Sequence, residues 1–173
     1  MKAKIPLAEA EEIASRMVEK LMPYCQRIEI AGSIRRRKAE VGDIEIVAEP
    51  KMIRDLFGVP VLQAIPAESL GLVVKNGNRY KQVLLPEKIY LDLFIVLPPA
   101  QWGVILAIRT GSAEFSHKLV SHPPYGYLPK DYIVKDGAIR KAETNEVIPT
   151  PEERDVFALC RMEWINPERR NDD

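Results

Sequence analysis

Cysteine is scarce here, two among 173 residues, histidine is as rare, and neither sign of charge dominates, with 25 basic against 25 acidic side chains. Cys25 and Cys160 are too few for the disulfide framework of a small secreted domain, which points to a reducing, cytoplasmic setting. Zero net charge argues against indiscriminate nucleic-acid binding, which needs many Lys and Arg neutralising phosphates together. Long apolar runs are missing too: a stretch such as Gly103 to Ile108 falls far short of the about 20 residues needed to cross a bilayer. Met1 to Glu9 has neither the apolar segment nor the cleavage site of a secretory signal. No membrane association is expected.

What is present is ample aliphatic content, 46% hydrophobic residues beside 29% charged. A chain of this length folds as one domain or two small ones, able to bury roughly 70% of its unfolded surface. Leu7, Ala10, Ile13, Ala14, Met17, Val18 and Leu21 recur at helical spacing between charged residues, so the pattern predicts an amphipathic helix stopped by Pro23. Arg27 to Ala31 and Asp43 to Ala48 alternate polar and apolar, the period of half-buried strands. Leu72 to Val74 and Arg79 to Leu85 predict a hairpin turning at Asn76-Gly77, and Ile89 to Leu97 a further strand. Pro98-Pro99 marks a boundary, giving domains 1–98 and 99–173.

In the second domain a helix is expected over Trp102 to Ile108 and another capped by Ser112. Thr150-Pro151-Glu152-Glu153 reads as a capping box with Pro at the first helical position, and the end, Pro167 to Asp173, as frayed. Two basic clusters, Arg35-Arg36-Arg37-Lys38 and Lys75, Arg79 and Lys81, read on charge alone as solvated surface. His117 and His122 lack the spacing and companions of a zinc site.

The most informative stretch is Gly32-Ser33 followed, after nine intervening residues, by Asp43-Ile44-Glu45. Residues two apart on a strand share a face with Cα atoms about 6.5 to 7 Å apart, so Asp43 and Glu45 can serve one site while Ile44 and Ile46 enter the core. Two neighbouring carboxylates repel unless cations neutralise them, and hard oxygen donors in a phosphate-handling site favour magnesium or manganese. Gly32 permits close backbone approach, and a helix opening after Ser33 would suit a phosphate. Asp92 stands alone in the otherwise apolar run Tyr90 to Ile95, as a third carboxylate able to bridge metals and take a proton. Gly-Ser, a fixed spacer and Asp-x-Glu inside an apolar alternation form a nucleotidyltransferase signature.

The sequence resembles the family-X DNA polymerases, the polymerase beta-like nucleotidyltransferases. The resemblance rests on Ile5-Pro6, Gly32-Ser33-Ile34-Arg35-Arg36, Gly42-Asp43-Ile44-Glu45, Lys75 to Val83, Leu91-Asp92-Leu93-Phe94, Trp102-Gly103, Thr110-Gly111-Ser112 with Phe115, and Glu153 to Arg169. It implies an α+β fold: a palm with a mixed β-sheet and helices on one side, then a small α+β thumb, in a minimal form without the lyase and helix-hairpin-helix units of larger members. It implies nucleotidyl transfer from a dNTP to a primer 3′-hydroxyl with release of pyrophosphate, in template-directed repair of short gaps. Asp43, Glu45 and Asp92 would hold two Mg²⁺ ions, with Mn²⁺ as a substitute, and Asp92 would accept the proton. Gly32, Ser33, Arg36, Gly42 and Lys4 would bind the triphosphate, Gly111, Ser112 and Ser116 would shape the nucleotide pocket, and Lys75, Arg79 and Lys81 would touch DNA backbone. The implied partners are gapped or primed DNA, a nucleoside triphosphate and a helper protein; the implied state is a monomer, in the cytoplasm, nucleoid or with viral DNA.

Two departures from the family pattern bear on chemistry. Glu45 replaces the usual Asp, carrying its carboxylate about 1.5 Å further out. Ile108 and Arg109 stand where two aromatics usually guard the sugar, which predicts weakened exclusion of ribonucleotides. Two other readings remain open at this stage: a template-independent terminal transferase or nucleotidyltransferase on another acceptor, and a non-catalytic DNA-end-binding module.

Overall fold

The computed structural model describes residues 3–171, which form an α+β fold. The chain separates into two compact units, Met1–Ile34 with Lys38–Val96, and Arg35–Arg37 with Leu97–Asp173.

The first unit opens with a short strand β1 (Ile5–Pro6) and helix α1 (Leu7–Leu21), whose face of Ala10, Ile13, Ala14, Met17 and Leu21 is buried. Pro23 ends it through a 3₁₀ turn over Met22–Tyr24. There follow β2 (Cys25–Ile30), a one-turn helix α2 (Gly32–Arg35), β3 (Glu40–Val41), which pairs with β1, and β4 (Asp43–Pro50). A separate hairpin, β5 (Met52–Arg54) and β6 (Pro60–Leu62), precedes β7 (Leu72–Asn76), β8 (Tyr80–Leu84) and β9 (Tyr90–Ile95). Five strands make one mixed sheet in the order β2-β4-β9-β8-β7, in which only the central β4–β9 pair is parallel. A parallel pair needs a long crossover, and residues 51–89 supply it.

The predicted alternation along β4 holds as far as Ile46 and then stops, because Val47 and Ala48 are both fully buried in this central strand. The predicted turn at Asn76-Gly77 is also corrected. Pairing continues through Asn76↔Lys81, Gly77 N donates to Tyr80 O at 2.9 Å, and neither Asn76 nor Gly77 has a positive φ. The chain therefore reverses one step later, at Asn78-Arg79, after a bulge between Val73 and Lys75.

The second unit holds α3 (Trp102–Thr110), α4 (Ala113–Val120), the hairpin β10 (Tyr132–Lys135) and β11 (Ala138–Lys141), and α5 (Glu153–Leu159). Val104, Ala107, Leu119, Leu128, Ile139, Val156 and Phe157 form its core. Ser112 caps α4 as predicted, its hydroxyl accepting from Phe115 N at 3.3 Å. The box that opens α5 is shifted: Glu152 is the N-cap and Asp155 its reciprocal partner, accepting from Glu152 N at 2.8 Å, so Pro151 lies outside the helix. The expected frayed end is overturned up to Asn171. Pro167–Arg169 form a 3₁₀ turn capped by Asn166, and Arg170 is 1% exposed among the rings of Phe115, Phe157 and Trp164. Asp172 and Asp173 lie outside the described residues. Among the described residues no helix is long and apolar enough to cross a membrane.

Candidate active site

Parallel pairing of β4 with β9 places Glu45 directly beside Asp92 and Asp43 beside Tyr90. Register partners in adjacent strands share a face and stand about 4.8 Å apart, and Asp43 follows two residues along that face. All three carboxylates predicted from sequence therefore belong to one face of the sheet's centre. Asp92 is the most enclosed, 9% exposed; its Oδ1 accepts from Tyr80 Oη at 2.5 Å and from Gln82 Nε2 at 3.0 Å. Both donors come from the neighbouring β8, and Tyr80 is braced by stacking on Phe94, with ring centroids 5.3 Å apart. Tyr80 and Gln82 went unread in the sequence, since only the pairing of β8 with β9 reveals them.

Glu45 extends the other way, toward Gly32. Gly32 has φ of +60°, which favours glycine, and the Glu45 carboxylate as it lies occupies the space a Cβ there would take. Ala31 N also donates to Glu45 O at 2.8 Å, locking this strand end to the start of α2. Ser33 follows, its Oγ buried and lacking a hydrogen-bond partner. A buried hydroxyl without a partner costs free energy that an incoming acceptor or donor would recover. Ile5↔Val41 pairing puts Lys4, which is exposed, one step beyond the pair and in line with Gly42.

Among the described residues no three or more His, Cys, Asp or Glu side chains are grouped closely enough to hold a metal ion as they stand. The backbone aligns the carboxylates, while their heads are drawn apart, Glu45 onto Gly32 and Asp92 onto Tyr80 and Gln82. Donor chemistry and strand register fit a hard divalent cation.

The cationic residues of the β7–β8 hairpin are surface groups. Lys75 and Arg79 are exposed, Lys75 Nζ sits 5.7 Å over the Tyr80 ring, and Lys81 donates to the side chain of Asn76.

In the second unit, Arg36 donates from Nη1 to Thr110 O at 2.5 Å and from Nε to Asn171 Oδ1 at 2.9 Å. Gly111 has φ of +76°, and a Cβ there would lie 2.6 Å from that Nη1, so glycine allows the guanidinium to approach. Ser112 is 5% exposed and engaged in capping, and the Ser116 hydroxyl donates to Ile108 O at 2.7 Å. Arg35 makes two bonds to Glu153, at 2.7 and 2.8 Å, and one to Thr110 Oγ1 at 2.6 Å. Arg170 Nη1 donates to the same carboxylate at 2.9 Å and Trp164 Nε1 at 3.2 Å. Burial alone would push the Glu153 carboxyl up, but hydrogen bonds from Arg35 and Arg170 and their charges hold it down at about 2. The run of basic residues read as solvated surface thus contains an internal anchor, invisible without its partner 118 positions away.

No protein-family model matches the chain. It aligns with DNA polymerase lambda of Rattus norvegicus, 26% identical over 160 residues, over 81% of this chain and 28% of that protein. The chain is distantly similar to a DNA polymerase. It spans a little over a quarter of that relative's length, and the likeness supports a family-X relationship only loosely.

Proposed function

We propose that this protein is a metal-dependent nucleotidyltransferase that extends a DNA primer from a dNTP, releasing pyrophosphate, in template-directed filling of short gaps. The observation that carries the reading is the register of β4 and β9, which sets Glu45 against Asp92 with Asp43 on the same face. A DNA polymerase among its distant relatives favours DNA as the acceptor.

Asp43, Glu45 and Asp92 would hold two Mg²⁺ ions, or Mn²⁺ in their place. Bound there, the ions would supply charge to stabilise the attacking and leaving oxygens of an in-line displacement. Asp92 would take the proton of the primer 3′-hydroxyl. Its Oδ1 is committed to Tyr80 and Gln82, so Oδ2 is the oxygen for that transfer. The bond broken is between the α- and β-phosphates, and the new bond joins the 3′-oxygen to the α-phosphorus. Ser33, with its partnerless buried hydroxyl, and the backbone at Gly32 and Gly42 would bind phosphate oxygens, with Lys4 and Arg36 contributing charge. Gly111 and Ser112 would shape the nucleotide pocket with Ser116, whose hydroxyl is held by the Ile108 carbonyl, setting the helix position. Lys75, Arg79 and Lys81 would meet the DNA backbone.

The test is extension of a labelled primer opposite each template base by each dNTP, with and without template. Incorporation of the matching nucleotide alone is expected, and Asp43→Asn or Asp92→Asn should abolish it while far-UV circular dichroism stays unchanged. Near-normal turnover by either variant would overturn the assignment, and equal extension without template would overturn the templated reading.

A further inference from the structure

The second unit holds a cavity of about 270 Å³ between Glu114, Phe115 and Lys118 of α4, Tyr127, and the segment Arg169 to Asn171. Its walls are tied down by backbone hydrogen bonds. Ser112 N, at the head of α4, donates to Arg170 O at 3.0 Å, and Asn171 Nδ2 donates to Glu168 O at 3.1 Å across the 3₁₀ turn. Tyr127 N donates to Lys118 O at 2.8 Å and Leu128 N to Ser121 O at 2.9 Å, closing the next loop onto the end of the helix. Gly126 permits that approach, since a Cβ there would collide with the carbonyls of Lys118 and Ser121.

Charge around the cavity is unbalanced. Lys118, Arg169 and Arg170 line it against a single carboxylate, Glu114, which leaves a surplus of two positive charges. Lys118 and Glu114 form a surface pair, 42% and 58% exposed, too well solvated to hold the ammonium firmly. Arg169 forms no ion pair among the described residues. Arg170 is buried among three aromatic rings, and its carboxylate partner, Glu153, also takes two hydrogen bonds from Arg35. Two guanidinium groups thus share one negative charge, and Arg170 Nη2 has no hydrogen-bond partner. That excess lies in the cavity wall, where water screens it weakly.

We propose that this cavity binds a phosphate group, with Arg169 and Lys118 as its direct ligands and Arg170 as the fixed charge behind them. A phosphate monoester carries nearly two negative charges close to neutral pH, which matches the surplus, and a guanidinium fork suits its oxygens. A carboxylate would bring one charge and leave the other unanswered. The volume lies just below that of drug-sized ligand sites, room for a phosphate with its waters or an adjoining sugar. Such a group reaches the protein as free orthophosphate or as the phosphorylated end of a nucleic-acid strand. Lys118, Arg169 and Glu114 have no part in the proposed transfer, so this site and that activity stand or fall separately.

Amide NMR of the intact chain tests the proposal, with four probes: orthophosphate, a tetranucleotide with a 5′-phosphate, the same tetranucleotide with a 5′-hydroxyl, and acetate. The signals of Arg169, Arg170 and Asn171 should shift with the first two, and the last two should need at least about tenfold higher concentration. Tighter binding of the phosphorylated strand than of orthophosphate identifies the strand end as the source; equal or weaker binding identifies free phosphate. Lys118→Ala and Arg169→Ala should each weaken binding about tenfold, and Glu114→Gln, which removes the opposing carboxylate, should tighten it several-fold. All three side chains reach solvent, so circular dichroism and extension of a primer on a template without a downstream strand should match wild type. Signals unmoved by both phosphate probes, an equal response to acetate or to the hydroxyl strand, or binding unchanged in either alanine variant would each overturn it.

Discussion

Replacing Glu153 by Gln keeps the shape of the side chain but leaves Arg35 and Arg170 around a neutral amide. The carboxylate is 5% exposed, and its pKa falls from 4.5 to about 2 under two guanidinium groups. At about 1.4 kcal/mol per unit, that depression corresponds to about 3 kcal/mol of stability. Because the folded value lies below the unfolded one, the contribution is complete above about pH 4.5 and is lost as pH falls toward about 2. Removing one member of a buried pair costs about 3–5 kcal/mol, so the two routes agree. Burial pulls Arg170 downward while Glu153 pulls it back, and a guanidinium stays charged throughout. Both tryptophans, Trp102 and Trp164, lie in the second unit, so urea unfolding followed by tryptophan fluorescence reads that unit specifically. Glu153→Gln should be less stable by about 3 kcal/mol from pH 7 to 5, with the gap to wild type closing by about pH 2. A gap under about 1 kcal/mol at pH 7, or one unchanged down to pH 2, would refute the reasoning.

Tyr80→Phe deletes one hydrogen bond to Asp92, and a loss of about 1 kcal/mol in positioning predicts a several-fold fall in kcat with KM for dNTP little changed, measured by steady-state extension. Glu45→Asp shortens the side chain by about 1.5 Å and withdraws its carboxylate from Gly32, so it should keep activity and change the ratio of rates in Mg²⁺ and Mn²⁺; complete inactivity would count against Glu45 as an ion-holding group. Ala at Lys75, Arg79 or Lys81 should weaken DNA binding for every sequence alike and reduce the slope of log affinity against log salt by about 1 per residue replaced, as read by anisotropy titration. Under the proposed reading Ile108 and Arg109 would stand at the sugar-guarding positions, so exclusion of ribonucleotides should be weakened, and a large deoxynucleotide preference in competition assays would contradict this.

Local patterns were legible where the cause is local. The helical stripe from Leu7 to Leu21, the strand at β9 and the cap at Ser112 depend on neighbours within a few residues, and the structure places them as read. Asp92 stood out because a charged side chain in an apolar strand contradicts its surroundings, and Asp43 and Glu45 because they form an Asp-x-Glu pair at a fixed distance from Gly32-Ser33. What failed to show were features decided by distant partners. The hairpin turn moved to Asn78-Arg79 because cross-strand pairing, rather than the Asn-Gly dipeptide, set its place. The ordered C-terminal turn depends on Arg170 meeting Glu153 and three aromatic rings, and Arg35 on the same carboxylate. The two donors to Asp92 come from β8, one strand over, where nothing in their own spacing marks them.

The position of Asp92 also argues about purpose. A carboxylate 9% exposed between Leu91 and Leu93 bears a desolvation cost that an aliphatic residue would avoid. Tyr80 and Gln82 offset part of it through a single oxygen, and the register then adds the charge of Glu45 on the next strand. Like charges on adjacent strands destabilise one another, so packing alone gives the sheet no reason to keep both. A positive ion arriving at that face reverses the sign of the interaction. Under the proposed reading a divalent ion would stabilise the arrangement, so divalent ions should raise the unfolding midpoint of the wild type more than that of Asp92→Asn.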